Sequence, residues 1–182
     1  MNKKLSTILL IAAILCFSVL AIASGSSDSP TRETGGNGET PSGTSQQQND
    51  DAYALTETAV FENIKVTANE IIINNSSSNF LEPEEGNKFV AVKFTIENIS
   101  DEEQTMSSLL LFEAYADDVK CDYSFGADMG LEGTLDGSIS PGKKLVGYYG
   151  VEVSEDAQKL DVEVKASWLG SGKAVFSFDI PN

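Results

Sequence analysis

A strict alternation of apolar and polar residues constrains the fold of this chain more than any other feature. Between positions 160 and 168 every second residue is apolar, and the set is Leu160, Val162, Val164, Ala166 and Trp168. Successive side chains of a β-strand point to opposite faces of a sheet, so this segment has one face suited to a core and one suited to water. Similar patterns at 90–96, 145–153 and 176–180 predict three more strands.

Weaker apolar patterns add further strand candidates. A run from Leu109 to Tyr115 predicts one more strand. Either two short strands or one bent strand would hold the apolar residues Ile64, Val66, Ile71 and Ile73. Turn-forming residues separate the candidates. Among them, Pro141 and Gly142 suit the centre of a type II turn, because proline fixes φ and glycine accepts a positive φ. Asn98 suits a turn at a strand end.

These signals together predict an all-β chain. No stretch has the period of a long amphipathic helix, and residues 100–108 and 126–133 fit at most turns or short helical pieces. Seven or eight strands within about 130 residues favour an antiparallel β-sandwich. A chain of 182 residues has room for one such domain, which we place at residues 52–182.

The N-terminal segment, residues 1–23, has the features of an export signal. Two lysines precede an apolar run that ends in a small-x-small sequence at Ala21-Ile22-Ala23. A cleaved signal peptide fits this pattern, and so does a retained membrane anchor, because the run is long enough to cross a bilayer. Lipidation of Cys16 is the third interpretation, although Leu15 stands where a lipobox has Gly, Ala or Ser. All three place the rest of the chain outside the cytoplasm.

Residues 24–51 differ in composition from the domain that follows. They are rich in Ser, Gly, Thr, Asn and Gln and contain no large apolar residue. Such a segment cannot bury enough surface to offset the entropy lost on ordering, so we predict a disordered linker.

The charge of the chain excludes some partners. It has 12 Lys and Arg against 28 Asp and Glu, a formal net charge of −16. A field of that sign repels nucleic acid and anionic lipid, so contact with a membrane is expected only through residues 1–23. The same field favours a cationic partner or calcium.

Catalytic motifs are missing from the sequence. The chain has no histidine, which excludes Ser-His-Asp and Cys-His catalysis and histidine metal sites. Ser140 and Lys143 have the spacing of a penicillin-interacting serine site, but the Pro-Gly pair between them prevents the helical turn that this site needs. Cys121 is expected to be a buried, unreactive small side chain. We therefore predict that the protein is not an enzyme.

Two segments resemble a known family, the immunoglobulin-like domains of unknown function of secreted and lipid-anchored proteins in Gram-positive bacteria. The first runs from Gly86 to Ser100 and is similar to the family's G-x-F-V-x-V-x-V-x-I-x-N strand and turn. The second runs from Ser140 to Val153 and is similar to the family's PGxxxxGxxxFEV hairpin, with Val151 where Phe is common. The resemblance implies an immunoglobulin-like β-sandwich and a Gram-positive envelope setting. It implies no activity and no cofactor.

Few residues stand out as site candidates. Trp168 alternates with valines and is expected in the core. Tyr148 lies on the opposite strand face from Tyr149, so it is a candidate for contact with a partner. Carboxylates that could bind calcium in a loop are Asp117, Asp118 and Asp122.

The function expected from these observations is binding. We predict a non-enzymatic module, outside the cell or on the outer face of the cytoplasmic membrane of a Gram-positive bacterium. It would bind an unidentified protein or peptide through a sheet edge or through loops at one end of the sandwich. The alternative is a calcium-dependent structural or adhesive domain.

Overall fold

A computed structural model describes residues 29–33, 51–74, 81–167 and 172–181 of the chain. Within these ranges there are eleven strands and two four-residue helices. The strands are β1 (Thr31–Glu33), β2 (Thr58–Val60), β3 (Ile64–Ile73), β4 (Asn87–Asn98), β5 (Gln104–Met106), β6 (Phe112–Ala116), β7 (Val119–Cys121), β8 (Gly137–Ile139), β9 (Lys144–Ser154), β10 (Lys159–Lys165) and β11 (Lys173–Asp179). The helices are α1 (Ser108–Leu111) and α2 (Phe125–Asp128). None of the helices in these ranges is long and apolar enough to cross a membrane.

The strands form two principal sheets and a small ribbon. One sheet has the order β1-β2-β3-β4-β9, the second has the order β11-β10-β6-β7, and β5 pairs with β8. Every pair of named strands is antiparallel. This confirms the predicted antiparallel β-sandwich. The strands outnumber the seven or eight expected because five of them have three residues each, too few to leave a pattern in the sequence.

The core lies between the two principal sheets. Phe94 on β4 contacts two aromatic rings of the opposite sheet, with centroid distances of 5.3 Å to Phe112 on β6 and 5.5 Å to Phe176 on β11. The alternating apolar residues of β10 are fully buried beside them, as their pattern predicts. Burying each large apolar side chain contributes about 1.5–3 kcal/mol, so this layer is the main source of stability. Trp168 lies outside the described residues.

The β3 strand is a single bent strand, which decides between the two alternatives that its sequence left open. Its register against β4 shifts between Ala68 and Glu70, so Asn69 is the extra residue of a β-bulge. Before the bulge the even-numbered residues face the core. After it Ile71 packs against the core, and the inward set has changed to odd numbers.

The chain crosses from one sheet to the other at both sides of the sandwich. Tyr53 forms a parallel bridge with Phe176 of β11 before the chain continues into β2 of the other sheet. On the opposite side, the chain leaves β7 and Tyr123 forms an antiparallel bridge with Val151 of β9. These crossings cover part of the sheet edges, where unpaired backbone groups would otherwise face solvent.

The strand predicted from Leu109 to Tyr115 is correct only in its second half. Residues 108–111 form α1, and β6 begins at Phe112. The helical turn buries Leu111 while Leu109 and Leu110 remain 67% and 68% exposed. In a continuous apolar run the residues show no periodicity, so the sequence does not distinguish a helical turn from a strand there.

The turn predicted at Pro141-Gly142 is confirmed. Gly142 has φ +69°, and the Lys143 N–H donates to the Ser140 carbonyl at 3.0 Å, as a type II turn requires. The predicted role of Asn98 at the end of β4 is also confirmed. Its fully buried amide donates to the carbonyls of Glu102 and Ile139, each at 2.7 Å.

Strand β1 lies inside the segment 24–51, and its sequence did not predict it. Its three residues pair with β2 in the register Thr31–Val60, Arg32–Ala59 and Glu33–Thr58. All three are exposed, so apolar burial does not hold the strand in place. Polar contacts of Arg32 and Glu33 do so instead. The rest of segments 1–23 and 24–51 lies outside the described residues, apart from Ser29, Pro30 and Asp51.

Candidate functional site

A cleft of about 370 Å³ lies beside β9, the last strand of the five-stranded sheet. The chain segment 123–136 forms most of its wall, and Tyr148 of β9 contributes from the sheet. The lining residues are Tyr123, Phe125, Asp128, Met129, Gly130, Leu131, Gly133, Thr134, Leu135, Asp136 and Tyr148.

Two glycines of β9 allow the wall segment to lie against the strand. A side chain at Gly147 would place its Cβ 2.5 Å from the carbonyl carbon of Thr134, and one at Gly150 would place it 2.8 Å from the Cβ of Ala127. The close approach allows two backbone hydrogen bonds between the wall segment and β9. The Thr134 N–H donates to the Val146 carbonyl, and the Ser124 N–H donates to the Gly150 carbonyl. The wall is therefore bonded to the edge of the sheet and is not a loose loop.

The side chain of Asn74 on the far side of β4 also holds the wall segment. Its amide donates to the carbonyls of Ala127 at 2.8 Å and Met129 at 3.1 Å. These two bonds fix the backbone at the end of α2 and directly after it, beside the lining residues Asp128 and Met129.

Tyr123 and Asp128 form a hydrogen-bonded pair within the cleft. The Tyr123 hydroxyl donates to Oδ2 of Asp128 at 2.6 Å. Burial raises the pKa of Asp128 above its ordinary value, an effect that the hydrogen bond from Tyr123 partly offsets. Burial and the same bond raise the pKa of Tyr123, so the phenol keeps its proton at neutral pH. The pair presents an aromatic face and a carboxylate that is poorly solvated.

Tyr148 is half-buried and is held by one residue of β3 and one of β4. Its hydroxyl donates to Oε1 of Glu70 at 2.6 Å, and the Lys93 ammonium lies 5.3 Å from the centre of its ring. Glu70 and Lys93 are themselves 3.3 Å apart. The hydrogen bond from Tyr148 lowers the pKa of Glu70, and the bond to Glu70 raises the pKa of Tyr148. The ring is therefore fixed in place where it lines the cleft.

Exposed apolar side chains lie around the cleft. Phe125 lines it and is 62% exposed, and Val146, whose carbonyl accepts from the wall, is 41% exposed. Asp136 connects the cleft to α1, since its carboxylate accepts from the backbone N–H and the hydroxyl of Ser108, both at 2.8 Å. The exposed Leu109 and Leu110 follow directly in α1.

The cleft has acidic and aromatic side chains but no Lys or Arg among its lining residues. Aromatic faces and carboxylates both attract cations, and the desolvated carboxylate of Asp128 strengthens that attraction. The chemistry of this surface therefore suits a cationic side chain flanked by apolar groups.

The predicted calcium ligands are not brought together. Asp117 and Asp118 form the two-residue turn between β6 and β7, with φ values of 45° and 67°. The Asp117 carboxylate already accepts from the backbone N–H groups of Gln158 and Lys159. Asp122 lies beyond the end of β7, and the described ranges contain no group of three or more His, Cys, Asp or Glu placed to hold a metal.

Sequence reasoning identified one residue of the cleft, Tyr148, and missed Tyr123, Phe125 and Asp128. Phe125 and Asp128 lie in the four-residue helix α2, and Tyr123 lies in an isolated bridge before it. Elements this short leave no period that shows which side chains face the same way. Cys121 is half-buried outside the cleft lining, and burial raises the pKa of its thiol, which makes it a poor nucleophile.

The domain is similar to known proteins in sequence family and in fold. Residues 53–175 match the model of a family described as Domain of unknown function (DUF4352). No curated protein sequence matches the chain.

Two solved structures show the same fold. YcdA of Bacillus subtilis, described as a candidate lipoprotein, superimposes with a TM-score of 0.55 at 14% identity, over 65% of this chain and 37% of YcdA. The chain thus spans little more than a third of YcdA. The YjhA protein of B. subtilis superimposes with a TM-score of 0.50 at 13% identity, over 71% of this chain and 99% of that chain.

Proposed function

The chain belongs to the DUF4352 family of domains of unknown function, and from this premise we propose that it is a non-enzymatic module that binds a protein or peptide partner outside the cytoplasm. The observation that carries the proposal is the cleft beside β9. It combines a fixed Tyr148 ring, the Tyr123–Asp128 pair and the exposed Phe125. Sites of this kind occur in loops supported by a rigid scaffold.

The partner segment carries a lysine or arginine next to apolar residues. Its cation lies against the Tyr123 ring and Asp128, since the Lys93 ammonium already contacts the Tyr148 ring, and its apolar neighbours cover Phe125. Charge complementarity supports this choice, because the net charge of −16 attracts a cationic segment from a distance. A phosphorylated or acidic segment would be repelled.

The proposed location is the envelope of a Gram-positive bacterium. The lysine-preceded apolar run in residues 1–23 supports export. The fold that the domain shares with YcdA, a candidate lipoprotein of such an organism, supports the same setting.

Site-specific crosslinking in the full chain tests this function. A photoreactive phenylalanine analogue replaces Phe125, and a second chain carries it at Val119, which is 69% exposed in β7 away from the cleft lining. We expect crosslinks at position 125 to a discrete segment containing Lys or Arg and apolar residues. Asp128→Asn should reduce their yield several-fold, because it removes the charge but keeps an acceptor for Tyr123. The same crosslinked products at positions 125 and 119 would contradict the proposal. So would a crosslinking yield at position 125 that Asp128→Asn leaves unchanged.

The alternative, a calcium-dependent domain, has a separate test. Calcium that binds the native state in preference to the unfolded state would raise the unfolding temperature, and more so the further its concentration exceeds the dissociation constant. Because the Asp117 carboxylate is engaged by two backbone N–H groups, we expect equal unfolding temperatures in millimolar calcium and in chelator. A rise of several degrees in calcium would favour the alternative.

A further inference from the structure

The β1 strand contacts the domain in a way that resembles a bound peptide. It adds to the outer edge of β2, and its residues are all exposed. Its side chains nevertheless make specific contacts, centred on Arg32. An extended segment that adds a strand to a sheet edge and is recognised by one inserted side chain is a common mode of peptide binding.

Arg32 is the anchor of this segment. One guanidinium nitrogen donates to Oε1 of Glu57 at 3.2 Å, and the other donates to the carbonyl of Ala52 at 2.6 Å. The guanidinium carbon lies 4.7 Å from the centre of the Tyr53 ring. A planar cation that is stacked on an aromatic ring and bonded at its edges is a geometry that Arg provides and Lys does not.

Residues beside Arg32 add two further contacts. The Tyr53 hydroxyl donates to the Pro30 carbonyl at 3.4 Å, and the Lys65 ammonium donates to both carboxylate oxygens of Glu33 at 2.8 and 3.0 Å. The receptor residues belong to the sheet crossover and to β3, and Tyr53 is itself fixed in the core against Phe176 at 5.2 Å between ring centres. The receptor surface is therefore built into the fold.

Among the residues that the structure describes, space remains around the anchor. A cleft of about 600 Å³ lies at this position, lined by Ser29, Pro30, Arg32, Asp51, Tyr53, Lys173 and Val175. The segment occupies one side of it, so the surface can accept a ligand larger than residues 29–33.

We propose that the β2 edge, with Tyr53 and Glu57, is a recognition site for extended peptides that carry an arginine, and that residues 29–33 are its intramolecular occupant. The site lies at the opposite edge of the five-stranded sheet from the β9 cleft. It does not depend on the function proposed for that cleft.

Covalent attachment explains how so short a segment stays bound. A segment joined to its receptor by a short connection competes as if present at a millimolar concentration. Occupancy in the same chain therefore requires only that the free peptide bind with a dissociation constant below roughly 1 mM. A partner peptide must displace residues 29–33, so the bound segment lowers the apparent affinity of the site for any partner peptide.

Peptide binding to the full chain tests the inference. The probe is a fluorescently labelled peptide with the sequence of residues 29–33, Ser-Pro-Thr-Arg-Glu. The receptors are the unchanged chain and the Arg32→Ala variant, which releases the occupant without touching the core because Arg32 is exposed. Lys120→Ala, a variant of an exposed cation in β7, is the matched control.

We expect the peptide to bind the Arg32→Ala chain at least tenfold more tightly than the unchanged or Lys120→Ala chain. A peptide with Ala in place of Arg should bind none of them, and adding Glu57→Gln to Arg32→Ala should weaken binding several-fold. Equal binding to all chains, or no binding to Arg32→Ala at millimolar peptide, would overturn the inference. A dimer of the unchanged chain that Arg32→Ala dissociates would also overturn it, since the segment would then occupy a second copy.

Discussion

A side-chain amide removed from water needs partners for its two N–H groups and its oxygen, or it costs more than it contributes. Asn98 has them all. Its amide donates to the carbonyls of Glu102 and Ile139, and its oxygen accepts from the backbone and hydroxyl of Ser100. One residue thus fixes the turn after β4 and ties it to the end of β8.

Asn98→Ala should lower the free energy of unfolding by about 3 kcal/mol, because it takes a donor from the buried Ile139 carbonyl and the acceptor from the Ser100 N–H and hydroxyl. Asn63→Ala is the control, since Asn63 is exposed and bonds to Ile99 through a backbone carbonyl that alanine retains. Urea unfolding measures both. Similar losses for the two variants would show that Asn98 has no special role.

The hairpin turn at Asp117 and Asp118 offers a matched pair of substitutions. Both residues have positive φ, which disfavours a side chain, but only the Asp117 carboxylate accepts backbone N–H groups. Asp118→Gly should stabilise the domain by about 0.5–1 kcal/mol, and Asp117→Gly should destabilise it by about 1 kcal/mol. Thermal unfolding of the two variants would contradict this account if both shifted in the same direction.

Asp128 should make stability depend on pH. A carboxyl with a raised folded pKa favours folding while protonated, so its contribution is lost as pH rises from its ordinary value of 3.8 through its folded value. Asp128→Asn should therefore raise the urea midpoint at pH 7, and the gain should shrink toward pH 3. Asp156→Asn, at an exposed site, serves as the control. A gain that stays constant with pH would refute the assignment.

At the scale of elements, the packing of the wall segment against β9 depends on the absence of side chains at Gly147 and Gly150. Gly150→Ala should cost about 2 kcal/mol, because its Cβ would meet Ala127 and the Asp128 backbone in a packed contact. Gly142→Ala should cost about 1 kcal/mol, since it has a positive φ but nothing within 4 Å of a Cβ. Urea unfolding distinguishes them. If Gly150→Ala is the milder change, the wall segment can move away from β9.

The long strands were predictable because burial on one face imposes a period of two. The alternation of β10 matches its burial residue by residue. The helical turn α1 was not predictable, because Leu109, Leu110 and Leu111 have identical chemistry and different exposure. Tertiary packing of Leu111 decides that segment, and local sequence does not.

The candidate site was predictable only where it borders a regular strand. Tyr148 could be assigned an outward direction because Tyr149 beside it belongs to the inward set. Tyr123 and Asp128 are five residues apart and meet because the single helical turn of α2 lies between them. The glycines that admit this segment, Gly147 and Gly150, are visible in the sequence, but the contact they permit is not.

At the scale of the whole molecule, repulsion among acidic groups should outweigh the ion pairs. The described residues contain seven ion pairs, each at the surface and each worth at most about 1 kcal/mol. Raising NaCl from roughly 10 to 150 mM shortens the screening length from about 30 to about 8 Å, which weakens the repulsion within a chain of net charge −16. We expect the unfolding temperature to rise. A fall would mean that the ion pairs dominate.

The parallel bridge between Tyr53 and β11 also determines how the module responds to mechanical tension. The segment at Tyr53 and strand β11 run parallel to each other. A load that pulls residue 51 away from residue 181 therefore pulls these two segments in opposite directions along their length. The bonds from Tyr53 N–H to the Val175 carbonyl and from Ser177 N–H to the Tyr53 carbonyl, 2.8 and 2.9 Å long, then resist in shear and must break together. Strand β1 lies on the loaded side of this clamp, held by exposed polar contacts. A partner that pulls on an anchored copy of this protein should therefore detach residues 29–33 before it disturbs the sandwich.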